Sequence, residues 1–315
     1  TSVDCDSAVV TFSDVYDIVD RDLLLYAKYK LGSALEVDLG YKDQLTTVFS
    51  GYVTSVQFQF PQGETPTVVV TAMDASFKLM RGQRIRTWTQ KKISDVVRQI
   101  ASDYGLSPEV DDTGAQIEYI AQGHRSDFQF LQDLALSLNY EFFIVGKKLY
   151  FRQRFKNKNP LLTLKYQENL LALTLEHNLA EQVAKVEVHG WDPVQQKKIA
   201  ATSNTVEKIN NFTISGPNLL VSLGNGDYTE HVYANPSSVG EAQKMAAAVL
   251  NTRALNLVTG EGETFGIPEL RAGVFVKLEG IGDTLSEKYY VSRTTHIFNE
   301  SGYRTQFQIQ GNVVK

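Results

Sequence analysis

The stretch Tyr52-Val53-Thr54-Ser55-Val56-Gln57-Phe58-Gln59-Phe60 puts a β-branched or aromatic residue at nearly every second position. That two-residue period belongs to a strand with one covered face. Pro61 and Gly63 stop it. Residues 67–72 supply the partner strand across the loop 61–66, whose two prolines deny ladder hydrogen bonds. Upstream, Leu35-Glu36-Val37-Asp38-Leu39 alternates in the same way. Alternation returns at 171–176, 183–189, 274–278, 289–298 and 305–310, so the chain is expected to be mainly β.

The end of the chain repeats its beginning. Tyr52-Val53-Thr54 matches Tyr290-Val291-Ser292, and Phe60 matches Phe298, at an offset of 238; Leu35-x-Val37-x-Leu39 matches Val274-x-Val276-x-Leu278 at 239. Alternating strands resemble one another by composition alone, so the near-constant offset is what argues for two similar β units.

Between these units the period changes. From Thr87 a helix is expected, with Ile93, Val96, Val97, Ile100, Ala101 and Tyr104 on one face and Gly105 as its stop. Ser126 and Gln129 have capping-box spacing ahead of Leu131, Leu134, Ala135 and Leu138, predicting a second helix that stops near Asn139. Residues 142–145, Gly146-Lys147 and 149–151 read as a tight hairpin. Past Pro160, strand 183–189 is expected to end in the turn Gly190-Trp191-Asp192-Pro193. A polar stretch with an Asn225-Gly226 turn follows, then a third helix opened by Ser238 and Glu241, with Ala242, Met245, Ala246 and Val249 inward. The expected division is a β unit at 1–86, an α+β insertion at 87–158, and a second β unit at 159–315 carrying an inserted loop and helix near 204–256.

Composition narrows the function classes. With 43% hydrophobic and 21% charged residues, the 315-residue chain is globular rather than disordered. The single cysteine, Cys5, excludes an intrachain disulfide framework and a cysteine-based zinc site; between aspartates, it lacks the cationic neighbours of a reactive thiolate. A formal charge of −5 argues against a surface built wholly for nucleic acid. No run reaches the ~18 apolar residues of a membrane helix, and no basic stretch leads into an apolar one, so neither stable membrane insertion nor a signal peptide is expected.

Catalytic motifs are missing. His124, His177, His189, His231 and His296 show no close pairing in sequence, and no metal site is expected. There is no GxSxG, GxxxxGK[ST] or strand-linked GxGxxG pattern; Gly260-Glu261-Gly262-Glu263 reads as a flexible loop. Asp111-Asp112 and Asp227 lack the donor spacing of a calcium loop. No catalytic, cofactor-binding or metal residue is therefore assigned. Two basic clusters stand out: Arg81, Arg84 and Arg86 with Lys91-Lys92, and the denser Lys147, Lys148, Arg152, Arg154, Lys156 and Lys158. The second is the candidate contact patch for an acidic neighbour or passing nucleic acid, against a plainly solvated hairpin face.

Several motifs in order resemble the hub proteins of contractile tails: the late control protein D family of phages and the hub part of VgrG-type spike proteins. They are Phe49-Ser50-Gly51-Tyr52-Val53; Ile93-Ser94-Asp95-Val96-Val97 through Ile100-Ala101 to Tyr104-Gly105-Leu106; Ser126-Asp127-Phe128 with Phe130-Leu131, Leu134-Ala135 and Tyr140-Glu141-Phe142. The last is Pro268-Glu269-Leu270-Arg271-Ala272-Gly273, followed by Val274-x-Val276-x-Leu278, Gly280, Gly282, Tyr290-Val291, His296 and Tyr303-Arg304-Thr305.

The resemblance implies two related antiparallel β-barrels with an α+β insertion, hub-like and trimer-forming. Three chains would then present six near-equivalent units and adapt a three-fold spike to a six-fold tube. It also implies a non-enzymatic role. The partners would be a homotrimer, the inner tube protein, a spike or needle protein and other baseplate components, around a channel for DNA or protein cargo. Synthesis in the bacterial cytoplasm and assembly into a phage tail or injection-system particle go with it. VgrG-type members continue into an OB-like domain and a needle, so here the spike is expected elsewhere than before Lys315. The competing readings are a tail-associated cell-wall hydrolase and a polysaccharide-binding β protein.

Overall fold

The computed structural model describes residues 5–24, 28, 30–192, 195–224 and 226–315. Strands of four or more residues and helices of eight or more are numbered in chain order. The first unit is an antiparallel sheet of β1 (Ser7–Phe12), β2 (Ala34–Tyr41), β3 (Gln44–Gln59) and β4 (Thr67–Met73), in the order β1-β4-β3-β2. Val15, Val53, Val68 and Val70 form its small core, on the face selected by the alternation.

The insertion contains β5 (Arg84–Lys91), α1 (Ile93–Asp103), β6 (Ser107–Val110), β7 (Ile117–Arg125), α2 (Asp127–Leu138), β8 (Tyr140–Val145) and β9 (Lys148–Gln153). The helix expected from Thr87 starts only after Lys92, whose backbone is still extended at φ −77°, ψ 148°. Residues 87–91 instead finish a strand paired antiparallel with β7, as their Thr-Trp-Thr run favours. At α2 the capping box forms: the Ser126 hydroxyl accepts from the Gln129 N–H, and Gln129 Oε1 accepts from the Ser126 N–H, both at 3.2 Å. Asn139 ends the helix in the left-handed region at φ 56°, and Gly146 at φ 57° makes the β8–β9 turn. The core between α1, α2 and the β8-β9-β6 sheet includes Leu79, Val97, Ile100, Leu131, Leu149 and Phe151. Each such side chain contributes about 1.5–3 kcal/mol on burial.

The last part holds β10 (Pro160–Lys165), β11 (Leu170–His177), β12 (Lys185–Asp192), β13 (Lys197–Ser203), β14 (Thr229–Tyr233), α3 (Val239–Ala254), β15 (Val258–Phe265), β16 (Phe275–Glu279), β17 (Lys288–Asn299) and β18 (Gly302–Gly311). Six of these strands form one sheet, β10-β16-β17-β18-β15-β11, antiparallel except that β10 runs parallel to β16. The strand expected at 183–189 does not join it. β12 continues through Gly190, Trp191 and Asp192, where a turn is expected, and pairs with β13 and β14 in a separate sheet. α3 covers that sheet by packing Ala242, Ala246 and Leu250 on Val186, Val188 and Ile199. Only half of the Ser238 box forms: the hydroxyl accepts from the Glu241 N–H, whereas the Glu241 carboxylate takes Ser237 instead. Asn225 and Pro193, which complete the two expected turns, lie outside the described residues.

The two large sheets are open, curled half-barrels, not closed barrels. They share a four-strand unit. β1, β2, β3 and β4 correspond in chain order and sheet order to β15, β16, β17 and β18. Both carry a bulge at the same place: Thr54 is unpaired between the pairs Val53–Ala72 and Ser55–Thr71, as Ser292 is between Val291–Ile309 and Arg293–Gln308. Each bulged hydroxyl donates to the carbonyl across the ladder, Thr54 to Thr71 and Ser292 to Gln308, both at 3.3 Å. A shared bulge with a shared hydrogen bond is a specific feature, unlike alternation. One expected equivalence moves. Tyr52 pairs with Ala34 and Tyr290 with Phe275, so Leu35 corresponds to Val276, two residues beyond the match to Val274. A shift of two leaves every side chain on its face, which is why the sequence pattern does not register it.

Residues 260–263, expected as a flexible loop, lie inside β15. The glycines permit close approach: a Cβ at Gly262 would stand 2.4 Å from the Phe307 ring, and one at Gly260 2.6 Å from the Thr174 carbonyl. Glu261 and Glu263 face outward and accept from Gln308 at 2.9 Å and Gln306 at 3.0 Å. Gly262→Ala is expected to destabilise the chain by about 1–3 kcal/mol through overpacking, read as a lower urea midpoint.

Candidate functional site

The first half-barrel leaves both edges, β1 and β2, unpaired among the described residues. In the second, the equivalent edges are covered by β11 and β10. Unpaired edges are templates for a further chain. The outer surface differs in the same sense. Val9, 65% exposed, occupies the position of Glu261, which the second sheet spends on a Glu–Gln ladder. Ile18, Val19, Leu45 and Phe60 are also more than half exposed on this unit. Exposed apolar surface beside open strand edges is the chemistry of an assembly face.

Two buried ionic knots hold the insertion. Asp127, on the first turn of α2 and 1% exposed, accepts from Tyr104 OH at 2.8 Å, Gln122 Nε2 at 2.7 Å, Arg84 Nε at 3.1 Å and the Arg86 guanidinium. Burial raises the Tyr104 pKa, and its hydrogen bond to Asp127 raises it further, keeping the hydroxyl a donor. Saturated by four donors, Asp127 is a structural tie between β5, β7 and the helices. The second knot joins the insertion to the second sheet. Glu141, 2% exposed, accepts from Arg152 Nε at 3.0 Å and from the Tyr290 hydroxyl, and Arg152 also donates to the Gly273 carbonyl at 3.3 Å. Burial drives the Tyr290 pKa well above its ordinary value, with the Glu141 charge acting in the same direction. Phe155, Phe275 and Tyr290 pack edge to face around it.

The six cations of the second basic cluster have different surroundings. Lys147 sits at the β8–β9 turn, exposed and without an ion pair among the described residues. Lys148 faces Glu109 at 3.6 Å and is 54% exposed. Arg152 belongs to the Glu141 knot, and Arg154 is buried over Phe155 with Nε unpartnered among the described residues. Lys156 pairs with Asp111 at 2.7 Å and Lys158 with Glu207 at 2.8 Å. Of the first cluster, Arg84 and Arg86 turn to Asp127 and Lys92 to Asp112.

Two histidines without close spacing in sequence are neighbours in space. The parallel pairing of β12 with β14 sets Glu187 opposite His231, and His189 lies two residues on, on the same face. His189 Nε2 and His231 Nδ1 are 3.1 Å apart. Among the described residues, these three are the group whose donors converge closely enough to hold a metal ion. A groove of about 370 Å³ runs over the outer face of the second sheet, lined by Thr174, Glu261, Glu263, Arg293, Gln306 and Gln308.

A family model described as the Alg8 N-terminal domain matches residues 16–300, and the chain belongs to that family. No curated protein matches it. Among solved structures it is similar to the 43 kDa tail protein of prophage MuSo2 from Shewanella oneidensis, at 14% identity and a TM-score of 0.72, over 96% of this chain and 88% of that one. It is similar to the tail protein of Neisseria meningitidis MC58, at 13% identity and a TM-score of 0.68, over 98% and 88%. The c3393 protein of E. coli, described as a type VI secretion component with structural similarity to the phage T4 tail proteins gp27 and gp5, aligns at 11% identity and a TM-score of 0.57 over 97% and 69%. The chain thus has the fold of these phage tail and type VI secretion proteins, in line with the sequence resemblance.

Proposed function

We propose that this member of the Alg8 N-terminal domain family is a structural baseplate hub of a contractile tail or injection system. The carrying observation is the tail-protein fold over nearly the whole chain, with a four-strand unit present twice. In this reading the chain works as a homotrimer, in which six half-barrels adapt a six-fold inner tube to a three-fold spike around a channel for DNA or protein cargo. The half-barrels would close into barrels, and the open edges and exposed apolar side chains of the first unit would be covered, when the copies assemble. Residues 1–86, 87–158 and 159–315 are then the units of assembly. The chain is made in the bacterial cytoplasm and ends in the particle, alongside tube, spike and other baseplate proteins. No step of this role requires chemistry on a substrate.

Light scattering on the purified chain, with co-purification from cells that carry its tail components, tests the reading. A trimer that retains tube or spike protein is expected; a monomer that retains neither at micromolar concentration would overturn it. Within the basic patch of Lys147, Lys148, Arg152, Arg154, Lys156 and Lys158, the turn residues Lys147 and Lys148 are best placed to meet an acidic partner. Exchanging both for glutamate is expected to cut partner recovery at least tenfold, with the melting temperature unchanged, because surface charges steer association while adding little to stability.

A further inference from the structure

Glu187, His189 and His231 form a compact donor set with no part in either buried knot. Glu187 Oε2 lies 3.7 Å from His189 Nε2 and 3.6 Å from His231 Nδ1, and the two nitrogens are 3.1 Å apart. Zinc–nitrogen and zinc–oxygen bonds of about 2.0–2.2 Å place the corners of a tetrahedron about 3.4 Å apart, so the observed triangle is the size of one tetrahedral face. The backbone fixes this spacing. Glu187 and His189 are alternate residues of β12, and His231 is the register partner of Glu187 on β14. Ala200 and Thr202, the partners of His189 and Glu187 on β13, are small and exposed, which leaves the approach open.

The surrounding polar groups leave the right atoms available. Lys185 takes the other carboxylate oxygen, Oε1, at 3.1 Å, so Oε2 stays directed at the imidazoles. His189 Nδ1 is buried without a partner among the described residues, and Nε2 is the nitrogen that faces Glu187 and His231. The Glu187, His189 and His231 side chains are 25%, 17% and 47% exposed, so an ion could enter from solvent. We propose that Glu187, His189 and His231 bind a divalent transition-metal ion of the zinc class, each giving one ligand, with the fourth position open to solvent. Two imidazoles and a carboxylate suit zinc better than the oxygen-only preference of calcium or magnesium. The ion would staple the five-residue strand β14 to β12.

The test uses the full chain, stripped with chelator and dialysed, with zinc chloride alone as the probe. Competition against a chromophoric chelator is expected to show one equivalent bound per chain, and cobalt(II) substitution to give the intense visible bands of a four-coordinate site. His231→Ala and Glu187→Gln are expected to weaken zinc binding at least tenfold with the far-ultraviolet spectrum unchanged. His177→Ala, a histidine outside the set, should bind as the parent does. Failure to bind a stoichiometric ion, or equal binding by the parent and folded His231→Ala chains, would overturn the proposal.

Discussion

Replacing Asp127 with alanine is expected to lower unfolding stability by about 3–5 kcal/mol, the cost of breaking a buried ion pair from one side. Domain stabilities are only about 5–15 kcal/mol, so the loss is severe. The carboxylate is fully enclosed and serves Arg84, Arg86, Tyr104 and Gln122 together. Without it, two guanidinium groups lose their shared counter-ion and the 1% exposed Gln122 amide loses an acceptor. Asp127→Asn retains the shape and one acceptor oxygen, so a smaller loss is expected. Urea midpoints of the two variants provide the check; a change below about 1 kcal/mol in Asp127→Ala would show that the arginines find solvent at little cost.

Glu141→Ala is expected to have a comparable effect at a different place. It removes the carboxylate that joins Arg152 on β9 to Tyr290 on β17 and leaves the Tyr290 hydroxyl buried without an acceptor. The expected loss is again about 3–5 kcal/mol. Because this knot spans two units, it should also expose the connecting segment 154–159 to protease before the global transition. Tyr290→Phe should cost about 1.5–3 kcal/mol, the range for one hydrogen bond to a charged group. A double-mutant cycle between the two positions is expected to show coupling, since they touch; strict additivity would contradict a direct tie.

What the sequence made legible was local. Ser126, Gln129 and Asn139 act within one or a few turns of α2, so spacing alone predicts its cap and its end. Alternation located most long strands for the same reason. Partners distant in the chain were not legible: β12 meets β14 about forty residues on and β10 meets β16 more than a hundred on, both in parallel, and no periodicity encodes that choice. The closeness of His189 to His231 is a product of that pairing. Glycine misled in a different way. At 260 and 262 it marks close packing against Thr174 and Phe307 rather than a loop. The basic hairpin reads as one cationic run, yet tertiary contacts tie Arg152 to buried Glu141 and bury Arg154 beside Phe155, while Lys147 and Lys148 stay at the exposed turn.

A half-barrel present twice in one chain gives three copies six similar lobes, enough for a symmetric adaptor ring. Electron-microscopy class averages of the purified assembly, or of the particle that contains it, distinguish such a ring from separate chains. A three-fold ring of six similar lobes around an open channel is expected; lone chains, or a closed assembly without a channel, would overturn the adaptor role.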